Sequence, residues 1–314
     1  MSAKLDLFLD HRSRERPRQS MQSASGRLNF ENIDMPTTEP FKNFQPDLKN
    51  STAVVPAVER AVAVLNFLQE NSNPASCTVT QIAKALDLHK SNCSNILRTL
   101  EAASLVEYDP NTKAYMLGAA LIGLGATATR RRDILQIGIR HIDALVRETG
   151  LSCVIFSQLP NKAFLIIGKV DSPKDIKVTI DVGQHFAPGA PALARIAMSW
   201  MDKDGIDTYI ANHGLSRFTP ETKVETAEIL QEIALIRTQG YSISRGEYYP
   251  GHNAISAPVF TAQDEVCRGI CLVGFASQMD DNDLPRLGEL VKSTANAITQ
   301  AIGGQQKKQS LHPS

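Results

Sequence analysis

The stretch from Pro56 to Leu117 constrains the fold most, because its hydrophobic period is helical three times in succession and then gives way to strands. Pro56 suits a first helical turn, and Val58, Ala61, Val62, Leu65 and Leu68 recur at three- and four-residue spacing, which predicts an amphipathic helix. Asn71, Ser72, Asn73 and Pro74 end it. Thr78, followed three residues later by Gln81, predicts a capping box that opens a short second helix burying Ile82, Ala85 and Leu86. After a turn at Asp87 to His89, a third helix places Cys93, Ile96, Leu97 and Leu100 on one face. Its other faces carry Lys90, Ser91, Asn92, Ser94, Asn95 and Arg98, side chains suited to hydrogen bonding.

Leu105–Tyr108 and Ala114–Leu117 then read as two strands, joined by Asp109, Pro110, Asn111 and Thr112, among which Asp, Pro and Asn each have a local backbone reason to turn. Three helices and a hairpin in this order predict a winged helix-turn-helix. In such a unit the third helix enters the major groove of double-stranded DNA, while the hairpin reaches the backbone alongside. The candidate DNA contacts are Thr80 and Gln81 on the second helix, Lys90, Ser91, Asn92, Ser94, Asn95 and Arg98 on the third, and Lys113 in the hairpin. On pattern alone, a three-helix module that holds another protein is the alternative. Residues 51–132 carry 8 basic against 6 acidic side chains and residues 133–314 carry 17 against 20, so the sign favours an N-terminal contact with a polyanion. The whole chain balances at 33 of each, and affinity for phosphate must therefore come from local arrangement.

Beyond the hairpin, the chain predicts an α+β domain. Leu117 to Arg132 forms a helix with many small residues, ending in Arg130, Arg131 and Arg132, and Ile134–Thr149 forms another. Strands are expected at Ser152–Ser157, Ala163–Val170, Lys177–Val182, Tyr241–Ser244, Ala254–Thr261 and Arg268–Phe275, and helices at Pro191–Met201, Val224–Gln239 and Leu284–Ile302. Helices on a mostly antiparallel sheet leave a pocket between sheet and loops. Residues 1–50 show no sustained period and read as a flexible extension, and residues 304–314 as a tail. No segment has the order of a secretory signal or the length of a transmembrane helix, so a cytoplasmic protein is expected.

Five cysteines, Cys77, Cys93, Cys153, Cys267 and Cys271, are an odd number without metal-type spacing and predict free thiols, with no metal and no cofactor. Cys267 and Cys271 share one face of a strand, where packing is the expected role. An enzyme is the rival class, and its candidates are His185, His213, Glu247, His252 and the cysteines. They form no convincing set: there is no phosphate-cradling glycine loop, no paired-histidine metal motif and no glycine-flanked nucleophile serine. Glu247 with His252 is the nearest acid and base pair.

Pro56-Ala57-Val58-Glu59-Arg60-Ala61, Thr78 to Leu88, Lys90-Ser91 through Thr99-Leu100-Glu101-Ala102, and Tyr115-Met116-Leu117-Gly118 resemble the isocitrate lyase regulator (IclR) family. Gly240-Tyr241-Ser242-Ile243-Ser244, Glu247, Gly251 and Ile255-Ser256-Ala257-Pro258-Val259 resemble the same family's effector-binding domain. The resemblance covers about residues 54 to 303. It implies a transcription regulator with a DNA-binding domain at 54–117, a linker and dimerisation helix at 118–132 and a GAF-like effector-binding domain at 133–303. Dimers or dimers of dimers are implied, acting on a promoter and responding to a small metabolite. The chain departs from the family where Pro often precedes the Lys-Ser pair and Thr-Val-His-Arg follows it. Here His89 precedes and Asn92-Cys93-Ser94-Asn95 follow, so the strongest base-reading side chain is missing at Asn95 and Arg98 is its nearest substitute.

The family's ligand position maps onto Gly189, Ala190 and Pro191 at a helix start, then Ser244, His252 and Ala254, then Leu272 and Gly274. Backbone N–H groups at that helix start suit a carboxylate. Where relatives that bind small keto acids place Asp, Cys and Ser, this chain offers Ser244, Ala254, Leu272 and Gly274, and an aromatic or medium-chain carboxylate is the expected effector.

Overall fold

A computed structural model describes residues 55–71, 73–130, 133–261 and 268–305. The expectations for the N-terminal extension, for Arg131, Arg132 and Cys267, and for most of the C-terminal tail lie outside the described residues.

The first domain contains α1 (Pro56–Glu70), a 3₁₀ turn, α2 (Val79–Ala85), α3 (Lys90–Ala102) and an antiparallel hairpin of β1 (Val106–Asp109) and β2 (Ala114–Leu117). Val64, Leu68, Ile82, Cys93, Leu97, Leu100, Val106 and Ala114 form its core. The face predicted for α3 is the buried one, but on α1 Val58 and Val62 are exposed and Val64 is buried with Leu68, and α2 departs in two ways. Ala85 is exposed and Ala83 takes its place. Thr78 occupies the N-cap of α2, but its hydroxyl donates to Gln81 Oε1 at 2.6 Å rather than capping a backbone N–H, so the expected reciprocal box does not form.

α4 (Ala120–Arg130) follows, starting three residues after the helix expected from Leu117, and then α5 (Asp133–Thr149). The second domain is built on a six-stranded sheet with order β5-β4-β3-β8-β7-β6, every neighbouring pair antiparallel. Its strands are β3 (Ser152–Gln158), β4 (Phe164–Val170), β5 (His185–Phe186), β6 (Ser242–Arg245), β7 (His252–Val259) and β8 (Arg268–Phe275). Its helices are α6 (Pro191–Ser199), α7 (Lys203–His213), α8 (Thr226–Gln239) and α9 (Leu284–Ala301).

Strand alternation sends successive side chains to opposite faces, and both faces are covered. Cys153, Ile155, Ile255, Ala257, Ile270 and Leu272 pack with Ile142, Leu145, Leu287 and Val291 of α5 and α9. Val154, Phe156, Cys271 and Val273 pack with Leu193, Ile196, Met198, Tyr209 and Ile233 of α6, α7 and α8. α9 comes unusually close: a Cβ at Gly288 would stand 2.2 Å from the Tyr241 ring, so only glycine fits there.

Three elements of this domain differ from expectation, the first being the two-residue β5, which has no counterpart among the expected strands. Residues 177–182 are not a strand; they form an irregular strap whose Val178 and Ile180 pack on the second cluster, tied down where Ser152 Oγ donates to Val178 O at 2.6 Å. α7 was not foreseen, because it buries little beyond Ile206 and Tyr209. Its signals were Asp202, which accepts from Gly205 N at 2.8 Å as N-cap, and Gly214, whose φ of 69° ends it. No described helix is long and apolar enough to cross a membrane.

Candidate functional site

On the first domain, Lys90, Ser91, Asn92, Asn95 and Arg98 of α3 are exposed, Ser94 is half-buried, and Thr80 and Gln81 of α2 are exposed. The buried Cys93, Leu97 and Leu100 fix which way this polar surface turns. His89 is the N-cap of α3: its Nδ1 accepts from Ser91 N at 3.4 Å and lies 2.7 Å from Ser91 Oγ. A side chain with no role in the familiar Pro-Lys-Ser pattern therefore starts the helix in this chain. Arg98 Nη2 donates to Asn95 Oδ1 at 2.6 Å, so the guanidinium rests on the residue it was expected to replace. An arginine held this way can turn to a guanine edge or a phosphate by exchanging one exposed hydrogen bond for another.

In the hairpin, Asp109 Oδ1 accepts from Asn111 N at 2.9 Å and Asp109 Oδ2 from Thr112 Oγ1 at 2.7 Å. The Thr112 hydroxyl, and after it the Asn111 amide, hold the Asp109 carboxyl below the usual range. Lys113 follows at φ 55°, a left-handed position beside the strand start, with its side chain exposed. The surface thus pairs a polar helix with a hairpin tip that exposes Lys113 next to a turn held by Asp109.

On the second domain, register decides which predicted residues meet. Ser244, Ala254 and Val273 pair across β6, β7 and β8, and Ser242, Ser256 and Cys271 form the next row. Both rows face α6, where Ser242 Oγ donates to Ala192 O at 2.7 Å. Ser256 is fully buried and its hydroxyl makes no hydrogen bond of ordinary geometry, its polar neighbour being the Cys271 thiol. Burial pushes that thiol up to about 11. Leu272 and Gly274 point to the opposite face: Leu272 packs with the α5 and α9 cluster, and a Cβ at Gly274 would meet Leu151 and Met279. They cannot line a pocket with Ser244 and Ala254, and Cys271 and Val273 stand where those two were expected.

Gly189, Ala190 and Pro191 lead into α6, with Ala190 as its N-cap. Ala190 N is already committed to Ala187 O at 3.0 Å, and Pro191 has no N–H, so free donors can come only from the next residues of the first turn. Tyr209 OH donates to Pro188 O at 2.9 Å and fixes this approach to the helix. His252 Nδ1 lies 2.9 Å from Pro250 O, and its ring packs beside Tyr249 and Phe275.

Glu247 does not pair with His252. Its carboxylate takes both Arg195 terminal nitrogens, Nη1 to Oε1 at 2.9 Å and Nη2 to Oε2, and also accepts from Lys223 N at 3.2 Å. Arg195 is 1% exposed and Glu247 3%. The signal for this pair was an arginine set among the apolar residues of Pro191–Ser199. Along Pro191, Ala194, Arg195 and Met198, a narrow cleft with room for little more than a water molecule lies between α6 and the loop carrying Leu215 and Ser216. Among the described residues, no group of three His, Cys, Asp or Glu side chains is placed to hold a metal ion.

A helix-turn-helix with a wing, followed by a domain that carries a sheet covered on both faces, defines a class: a DNA-binding regulator of transcription. Residues 57–110 match the IclR helix-turn-helix domain and residues 126–300 match the bacterial transcriptional regulator IclR C-terminal domain. The chain belongs to the IclR family of transcriptional regulators. It is 26% identical over 247 residues to the HTH-type transcriptional repressor AllR of Escherichia coli K12, covering 79% of this chain and 90% of that protein. An IclR transcriptional regulator from Alicyclobacillus acidocaldarius superposes with a TM-score of 0.73 at 29% identity, covering 80% of this chain and all of that one. The Thermotoga maritima IclR shares the fold with a TM-score of 0.63 at 21% identity, over 79% of this chain and 99% of its own.

Proposed function

We propose that this regulator represses transcription by binding an operator as a dimer, and that a small carboxylate with an aromatic or medium-chain apolar body alters its operator affinity. The observation that carries the effector reading is the meeting of three features on one face. The α6 N-terminus, the buried row of Ser244, Ala254 and Val273, and an aromatic wall of Phe186 and Tyr248 belong to one packed cluster. Helix donors suit the carboxylate. The apolar row and the rings suit a hydrocarbon body, which cannot leave buried oxygens unsatisfied.

For DNA, the supporting features are the exposed polar face of α3 and Lys113 at the hairpin. For the dimer, they are α4, exposed along nearly its whole length, with Ile122 76% and Leu124 61% exposed, and Val58 and Val62 exposed on α1. Apolar side chains presented in this number on short helices are what an interface between copies covers. Repression follows AllR, the relative that is a transcriptional repressor.

A thermal-shift screen of aromatic and aliphatic carboxylates tests the effector reading. A ligand at a hundred times its dissociation constant adds about 2.7 kcal/mol to the native state. A hit that also changes operator affinity supports the reading; hits confined to non-acidic compounds, or none at all, would contradict it.

A further inference from the structure

The loop between β6 and β7 is attached to the rest of the domain in an unusual way. Gly246 and Gly251 bound it, both left-handed, at φ 63° and 72°, and a Cβ on Gly246 would stand 3.9 Å from Gly251 N, so the two ends of the loop nearly touch. Gly246 N donates to His252 O at 2.9 Å and closes it. Between these glycines, the contacts run to two places. Thr219 Oγ1 donates to Gly246 O at 2.8 Å and Thr222 Oγ1 to Glu247 O at 2.6 Å, while Lys223 N donates to the Glu247 carboxylate. The carboxylate is otherwise bound to the Arg195 guanidinium, whose remaining hydrogen bond, from Nη1 to Ile243 O at 3.2 Å, holds it at the edge strand. Among the described residues Arg195 Nε has no hydrogen-bond partner, and the hydrogen bonds of this buried side chain go to one loop and the strand that precedes it, while Glu232 of α8, paired with Lys223, stands 4.0 Å from Nη1 as a second carboxylate.

Tyr248 follows Glu247 directly. Its ring lies 5.2 Å from Phe186 and 4.5 Å from Phe218, and its hydroxyl meets the backbone of Ala187, at the approach to α6. It packs against the cluster that contains Val273 and Ala254. Ala254 is only partly buried although its row neighbours Ser244 and Val273 are buried, so the row is least covered at this point.

We propose that residues 246–251 form a lid over the row of Ser244, Ala254 and Val273, hinged at Gly246 and Gly251, with Tyr248 as its closing side chain and the Glu247–Arg195 ion pair as its latch. Glu247 and Arg195 are positioning residues; they act through Tyr248. The ligand the lid closes on is the apolar-bodied carboxylate of the proposed function, and that part of the proposal rests on that reading. The latch itself does not, since loop, staples and ion pair are features of the chain alone. A bidentate pair at this depth holds one geometry, and weakening it frees the loop without altering the sheet beneath.

Amide hydrogen exchange of the full chain, read by mass spectrometry, tests this with Glu247→Gln, Tyr248→Ala and the double variant Arg195→Leu/Glu247→Leu. The double variant leaves no unpaired buried charge, so it keeps the domain folded where the single change risks unfolding it. In the double variant, exchange is expected to rise tenfold or more together in peptides from 217–223 and 246–251, with β3 and α9 peptides at wild-type rates. Wild-type rates in both loops, or a uniform rise across the domain, would overturn the latch. Phenylacetate is the ligand probe: if it raises Tm and slows exchange of both loops in the wild type but not in Tyr248→Ala, the closing role stands. If it raises Tm with no protection of 246–251, the lid does not close on ligand, although the effector reading survives. If Tm is unmoved, the probe's class is wrong as effector, and the variant exchange rates still decide the latch.

Discussion

Val273 and Leu272 are adjacent in the chain and serve opposite sides of the sheet. Val273 shares a row with Ser244 and Ala254, while Leu272 is locked between α5 and α9. Leu272→Ala should therefore cost about 2–5 kcal/mol of stability, as core truncations do, and leave the ligand-induced Tm rise unchanged; urea titration with and without ligand measures both. Val273→Phe should cost about 1–3 kcal/mol through overpacking and abolish the Tm rise, with DNA binding intact. The strand itself was legible from its apolar run, but its facing was not. A run buried on both sides has no alternation to read, and a one-residue slip in matching it to relatives exchanges the faces. Glu247 shows the same limit. His252, five residues on, is the nearest base in sequence but five residues of separation fix no geometry, and the partner is Arg195, brought near by the packing of α6 on β6.

At the scale of elements, α3 and the hairpin were the most legible part, because a single exposed face leaves a clean period and a turn rich in Asp, Pro and Asn has local causes. α7 and the strap at 177–182 were not. α7 buries two side chains and so has almost no period, and the strap alternates like a strand while packing only Val178 and Ile180. The recognition helix yields a prediction with separable parts. If Lys113 touches phosphate, Lys113→Ala should weaken binding to specific and random duplexes alike and reduce the slope of log K against log salt by about one. Arg98→Ala, where Arg98 leaves Asn95 to read a base, should cost about 1–3 kcal/mol on the preferred sequence and far less on random DNA. Fluorescence anisotropy over a salt series separates the two; identical losses on both duplexes for Arg98→Ala would show that it contacts only the backbone.

At the scale of the molecule, α4 follows the hairpin, precedes α5 and carries the exposed Ile122 and Leu124. If the chain pairs through α4 as proposed, replacing both with Glu should give a monomer in sedimentation velocity and lower operator affinity by far more than tenfold, because two half-sites are then engaged independently. A variant that stays dimeric would place the interface elsewhere. Ligand on the α6 side of the sheet and DNA on α3 are proposed to be coupled, and coupling between sites is reciprocal. The most direct measurement takes the best duplex selected from a random pool and determines its dissociation constant with and without a saturating carboxylate that raises Tm. The account predicts a change of tenfold or more with ligand, about 1.4 kcal/mol of coupling, and the same factor in ligand affinity when DNA is bound. Equal dissociation constants with the ligand demonstrably bound would contradict it.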